Sequence, residues 1–174
     1  MAGPSPSVKA TLPAAQPAAT PERISYEGVV AGTLGAVTIA LWFFVIDLFQ
    51  GRPLYTPTVL ASALLYGEPN TALEGALALR LTVGFTFVHW LGFTALGGFA
   101  AWMLGVAERN ANLAFGVLLL FAFMEVGFLA VVAIFTQFIF QALSWQMVLI
   151  GNLLATAVMG LYFWRRHAHM EIYP

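Results

Sequence analysis

The chain has 174 residues, of which 60% are hydrophobic and 9% charged, and its mean hydropathy is +0.85. A soluble domain carries roughly 25% charged residues, so this composition excludes a water-covered globule and makes membrane lipid the partner of the outer surface. The net charge of −1 gives no basis for a nucleic-acid partner, and the lack of cysteine excludes disulfides, thiolate metal sites and cysteine nucleophiles.

Residues 1–25 are a different material. Pro4, Pro6, Pro13, Pro17 and Pro21 alternate with Ala and Ser, a composition that favours an extended, disordered tail. The tail contains no apolar run of the length a secretory signal needs, so it is expected to stay on the chain. A sharper reading makes it a strap on a partner subunit.

The first span is expected over 27–49. Gly28 and Gly32 form a GxxxG pair that Ala31 and Gly35 continue, and in lipid such small faces let helices approach closely. The connection over 50–70 holds a second helical signal. Thr56 suits an N-cap, Pro57 a first helical position and Gly67 the position past the end. The spacing predicts a helix over 57–66, too short to span. It would lie in the outer interface or re-enter between the spans.

Thr71, Ala72, Leu73 and Glu74 read as a capping box, which starts the second span near Ala72. That span runs to about Ala107, on the order of 50 Å, longer than a bilayer core. Arg80 can snorkel near its start, His89 and Trp90 fall near mid-depth, and Gly84, Gly92, Gly97 and Gly98 argue close helix contacts, Gly92 being placed with Gly28, Gly32 and Gly35 on the expected helix-packing face. A turn over 108–112 leads to the third span, 113–141, almost wholly apolar but for Glu125 near its middle. An acid at that depth is costly and faces protein or water. The fourth span, 145–164, starts behind Ser144 and stops at Arg165, Arg166 and His167; residues 168–174 form a short tail. The fold class is therefore all-α: an integral membrane four-helix bundle over 26–167 with a short outer helix.

Lys9, Arg23, Arg109, Arg165 and Arg166 share one side of a four-span arrangement, against Arg52 and Arg80 on the other. The positive-inside rule then puts both termini in the cytoplasm.

Two pairs of residues could carry chemistry. Glu125 and His89 lie at depths that differ by on the order of one helical turn, on helices joined by a tight turn. The pair fits an internal hydrogen bond that fixes helix register or, as the sharper reading, a proton relay or ligand site. His89 alone is a candidate ligand for a haem or pigment, but a bis-His haem needs a second His at that depth. His167 and His169 lie too far along the chain and, two residues apart, do not share a helical face for a metal. Asp47 and Arg52 flank the outer end of the first span. Their spacing predicts an interfacial salt bridge that fixes the turn, or a contact for a partner or headgroup. Gln137, Gln141 and Asn152 fall near the same side.

The run Asp47-Leu48-Phe49-Gln50-Gly51-Arg52-Pro53-Leu54-Tyr55-Thr56-Pro57, of the form D-x3-G-R-P-x2-T-P after a Gly-rich span, resembles uncharacterised bacterial four-span proteins. The resemblance covers the first span and its outer connection. It implies a bacterial inner membrane and brings no activity with it.

The sequence contains no P-loop, HExxH, GxSxG or acidic metal cluster. The leading expectation is a non-catalytic accessory or scaffolding subunit among other integral membrane subunits, of the respiratory or photosynthetic kind. The alternative is a small transporter, proton pathway, or quinone, haem or pigment site centred on Glu125 and His89. A self-associating homo-oligomer is the third.

Overall fold

The computed structural model describes residues 21–70, 72–109, 116 and 144–167. These residues are all-helical. The elements are α1 (Pro21–Phe49), α2 (Tyr55–Tyr66), α3 (Gly75–Arg109) and α4 (Trp145–Arg166). Three of them, α1, α3 and α4, are long and apolar enough to cross a membrane. The expected third span with Glu125, Gln137 and Gln141, and both terminal tails, lie outside the described residues.

α1 starts six residues before its expected boundary. Pro21 is its first residue and Glu22 lies in its first turn, a start that Pro favours because the N–H it lacks has no intrahelical acceptor there. α3 corrects the capping-box expectation. It begins at Gly75, whose φ is +66°, so Glu74 precedes the helix and cannot occupy its third position. Asn70 organises this entry instead: its Oδ1 accepts the Ala72 N–H at 3.0 Å, and its own N–H donates to Ser62 Oγ at 2.8 Å.

α1 is the axis of the molecule. Both α3 and α4 pack along it, and both run antiparallel to it. Gly28 meets Gly97 and Gly98, Gly32 meets Phe93 and Thr94, and Trp90 Nε1 donates to Thr33 Oγ1 at 3.0 Å. On the α4 side, Gly35 meets Met159, Trp42 Nε1 donates to the Met147 carbonyl at 2.9 Å, and Gly151 receives the Trp42 indole. A Cβ on Gly28 or Gly32 would overlap α3 backbone, and one on Gly151 would lie 2.8 Å from Trp42 Cδ1. The glycines thus let backbones touch where lipid supplies no hydrophobic drive between helices and packing must carry the association.

Gly92 does not belong to this face. A Cβ there would meet nothing within 4 Å. It sits on the order of 140° around α3 from Gly97 at 3.6 residues per turn, so the α1 contact is made by Phe93, Thr94, Gly97 and Gly98.

The packed interior is correspondingly made of small residues with a few large ones set among them. Ala31, Ala100, Ala101, Met159 and Phe163 form one buried cluster, and Ile39, Phe43 and Ala155 another. Large apolar side chains such as Leu41, Val83, Phe87, Leu153 and Leu161 point outward, the arrangement expected where the surroundings are hydrocarbon.

Candidate functional site

The polar groups buried among the described residues fall into three stations along α1.

The station at the C-terminal end of α1 is Asp47, 1% exposed. α2 opens on Leu54, held in the left-handed region at φ 68° with no side chain to cap the helix. Asp47 supplies the cap from the preceding helix. Its Oδ2 accepts the Thr56 N–H and its Oδ1 accepts the Thr56 hydroxyl, both at 2.7 Å. A carboxylate at a helix N-terminus satisfies a donor that has no intrahelical partner and favours the helix dipole. One turn further on, Thr58 donates to the Leu54 carbonyl at 2.8 Å and lies 2.9 Å from Thr82 Oγ1 on α3. With its own proton committed to that carbonyl, Thr58 accepts from Thr82, so α2 is fastened to both α1 and α3.

Arg52 is not the side-chain partner of Asp47, which corrects the expected salt bridge. Its guanidinium donates to Gln50 Oε1 at 2.6 Å and lies 3.9 Å from the centre of the Tyr55 ring. Only the Arg52 backbone N–H reaches Asp47, at the carbonyl, 2.9 Å away. The carboxylate has a closer use in capping α2, and the exposed arginine keeps its charge in the polar surroundings of the turn.

The station at the N-terminal end of α1 was not anticipated from the sequence. Glu27 is 4% exposed and lies between Arg23 and His167. Arg23 Nε donates to Glu27 Oε1 at 2.9 Å, and His167 Nε2 lies 3.0 Å from Glu27 Oε2. The contact ties the beginning of α1 to the end of α4 across 140 residues. The spacing of Arg23 and Glu27, one helical turn, was a visible signal once α1 is known to start at Pro21. The His167 contact left no local trace, because it depends on the antiparallel register of α1 and α4.

The middle station is His89, which Phe85 and Phe93 flank with ring centroids 5.9 Å and 4.8 Å away. Its Nε2 is buried and has no hydrogen-bond partner among the described residues. The ring borders a cavity of about 310 Å³ between α1, α2 and α3. Glu125, its expected partner, lies outside the described residues. Among those residues, no three His, Asp or Glu side chains cluster to hold a metal. Comparison with protein-family models, curated proteins and solved structures finds no match to this chain.

Proposed function

We propose that the protein is a non-catalytic accessory subunit of a larger membrane assembly, built as a four-span bundle in a bacterial inner membrane with both termini in the cytoplasm. The observation that carries this reading is the use made of the buried carboxylates. Glu27 and Asp47 act as clasps between helices at the two ends of α1, whereas a transporter or proton path needs ionisable groups along an interior route.

The fourth span is supported by direction. α3 and α4 both run antiparallel to α1, so Arg109 and Ser144 stand at opposite ends of the bundle. The 113–141 segment is long and apolar enough to make that return. Because Glu27 and His167 meet, the start of α1 and the end of α4 share a side, and the Lys and Arg distribution assigns that side to the cytoplasm.

The Gly28 and Gly32 face is already taken by α3. A partner subunit therefore docks on the outward apolar residues of the bundle. Cross-linking in native membranes tests this: lipid-phase cross-linkers placed at Leu153 and Leu161 should trap a second polypeptide of different sequence, and trapping lipid alone at every outward position would contradict it.

A further inference from the structure

We propose that the hollow between the α1–α2 turn and the start of α3 holds the headgroup of a phosphatidylethanolamine, with Arg52 donating to its phosphate and Glu74 accepting from its ammonium group. The hollow has a volume of about 400 Å³, within the ~300–1,000 Å³ typical of ligand pockets. Arg52 and Tyr55 line it from the turn and α2, and Asn70, Glu74 and Gly75 from the entry to α3.

Its place in the fold puts it at headgroup level. α1 and α3 are both long and apolar enough to cross a membrane, so the connection between them stands at one membrane boundary. Tyr55 and Tyr66 belong to that connection, and tyrosine is enriched at membrane–water interfaces.

The class of headgroup follows from the charges. Arg52 and Glu74 are the charged residues among those that line the hollow. They carry opposite signs, and both side chains are exposed, yet no ion pair joins them. The guanidinium rests on the Tyr55 ring and donates to Gln50 Oε1 at 2.6 Å, which leaves it donors to spare. The Glu74 carboxylate has no hydrogen bond or ion pair among the described residues. Opposite charges that face one hollow without pairing suit a molecule that bears both signs. A phosphate takes charge-assisted hydrogen bonds from arginine, and a primary ammonium, all donor and no acceptor, gives its N–H bonds to a carboxylate. Phosphatidylcholine offers the same phosphate, but its quaternary ammonium has no N–H for Glu74. Phosphatidylglycerol brings a negative charge beside Glu74 and no cation to offset it.

The body of the lipid also has a place. Leu79 lines the hollow and is outward and exposed, and Val83 and Phe87 continue the same row of α3 at intervals of four residues. The row leads from the hollow toward the middle of the membrane, an apolar track for an acyl chain. A free zwitterion has no use for such a track, so the occupant is a lipid.

The test uses the full chain in mild detergent, with binding read by native mass spectrometry as dioleoyl phosphatidylethanolamine, phosphatidylcholine and phosphatidylglycerol are titrated in turn. The ethanolamine lipid should reach half-saturation at a concentration about tenfold below the other two. Glu74→Gln should abolish its advantage over the choline lipid, whereas Arg52→Ala should weaken both about tenfold, because both offer a phosphate. Neither side chain carries a hydrogen bond between helices, so both variants should keep the parent's circular dichroism. If Glu74→Gln fails to fold, the lipid preference of the parent and the Arg52→Ala titrations decide the matter. Equal half-saturation by the ethanolamine and choline lipids in the parent would overturn the proposal. So would a Glu74→Gln protein that keeps the preference, or an Arg52→Ala protein that binds as the parent does. Soluble glycerophosphoethanolamine should not compete at concentrations that saturate with lipid; equal affinity for it would mean a site for a free zwitterion and would overturn the lipid assignment.

Discussion

Glu27 and Asp47 stand about 30 Å apart along α1 at 1.5 Å per residue, and each is buried against a different helix. That separation equals the hydrocarbon thickness of a typical bilayer. Between them, residues 28–46 hold no charged side chain. α1 thus carries one carboxylate clasp near each of its ends: in the proposed orientation the inner one, at Glu27, holds α4, and the outer one, at Asp47, holds α2.

The inner clasp gives the first prediction. Glu27→Ala leaves His167 buried without its carboxylate, and removing one partner of a buried hydrogen bond to a carboxylate costs about 1–3 kcal/mol. Arg23→Ala should cost less, because the Arg23 side chain is 40% exposed and pairs one helical turn away. Thermal unfolding in a fixed detergent should rank Glu27→Ala well below Arg23→Ala. Equal effects would contradict the assignment of Glu27 as the centre of the clasp.

The outer clasp separates two residues that the sequence had paired. Asp47→Ala removes both acceptors of Thr56 and leaves the start of α2 uncapped, a loss of about 1–2 kcal/mol. Arg52→Ala should be within about 0.5 kcal/mol of the parent. Amide hydrogen exchange over 55–66 reads this directly: faster exchange in the first turn of α2 for the Asp47 variant, unchanged exchange for the Arg52 variant. A matching effect in both would restore the salt bridge.

Close packing gives a third contrast on glycines of similar appearance. Gly32→Ala inserts a Cβ into the backbone of Phe93 and Thr94, which should cost about 1–3 kcal/mol and weaken the α1–α3 contact. Gly92→Ala enters open space among the described residues and should be neutral or slightly favourable in a helix. Cysteine cross-linking between α1 and α3 in each background, with cysteines introduced on their facing surfaces, measures the difference.

The Trp42 bond gives the fourth. Trp42→Phe keeps the ring against Gly151 but removes the donor to the Met147 carbonyl. Side-chain hydrogen bonds between membrane helices are worth about 0.6 kcal/mol on average, and this one is exposed within the described bundle, so the unfolding midpoint should fall only slightly. A loss as large as that of Glu27→Ala would show that the indole hydrogen bond, and not the ring packing, holds α1 to α4.

Much of the architecture was legible because membrane spans are dictated by length and apolarity, which are local properties. The short outer helix was also legible, since Gly67 ends it in the left-handed conformation that glycine tolerates. Its start was misplaced by two residues. Thr56 has the right chemistry for a cap, but the cap comes from Asp47, nine residues earlier and on another helix. The same limit hid Glu27 and His167. Each residue looked like an ordinary boundary group, and only the register between α1 and α4 brings them together. The GxxxG signal correctly marked a close helix contact, but not which helix makes it. α3 uses Gly97 and Gly98 rather than Gly92, because a helical face is set by angle and not by the presence of glycine. His89 was legible as an unusual polar group, whereas its flanking by Phe85 and Phe93 depends on how α3 turns toward α1.

The proposed role as a subunit among others is tested most directly by native mass spectrometry of the protein released from its own membranes in mild detergent. The expected result is a complex whose mass is not a whole multiple of the 18.8 kDa chain and which dissociates to release at least one different polypeptide in fixed ratio. A monomer or pure homo-oligomer of the chain, retained under conditions that preserve other membrane complexes from the same preparation, would contradict it.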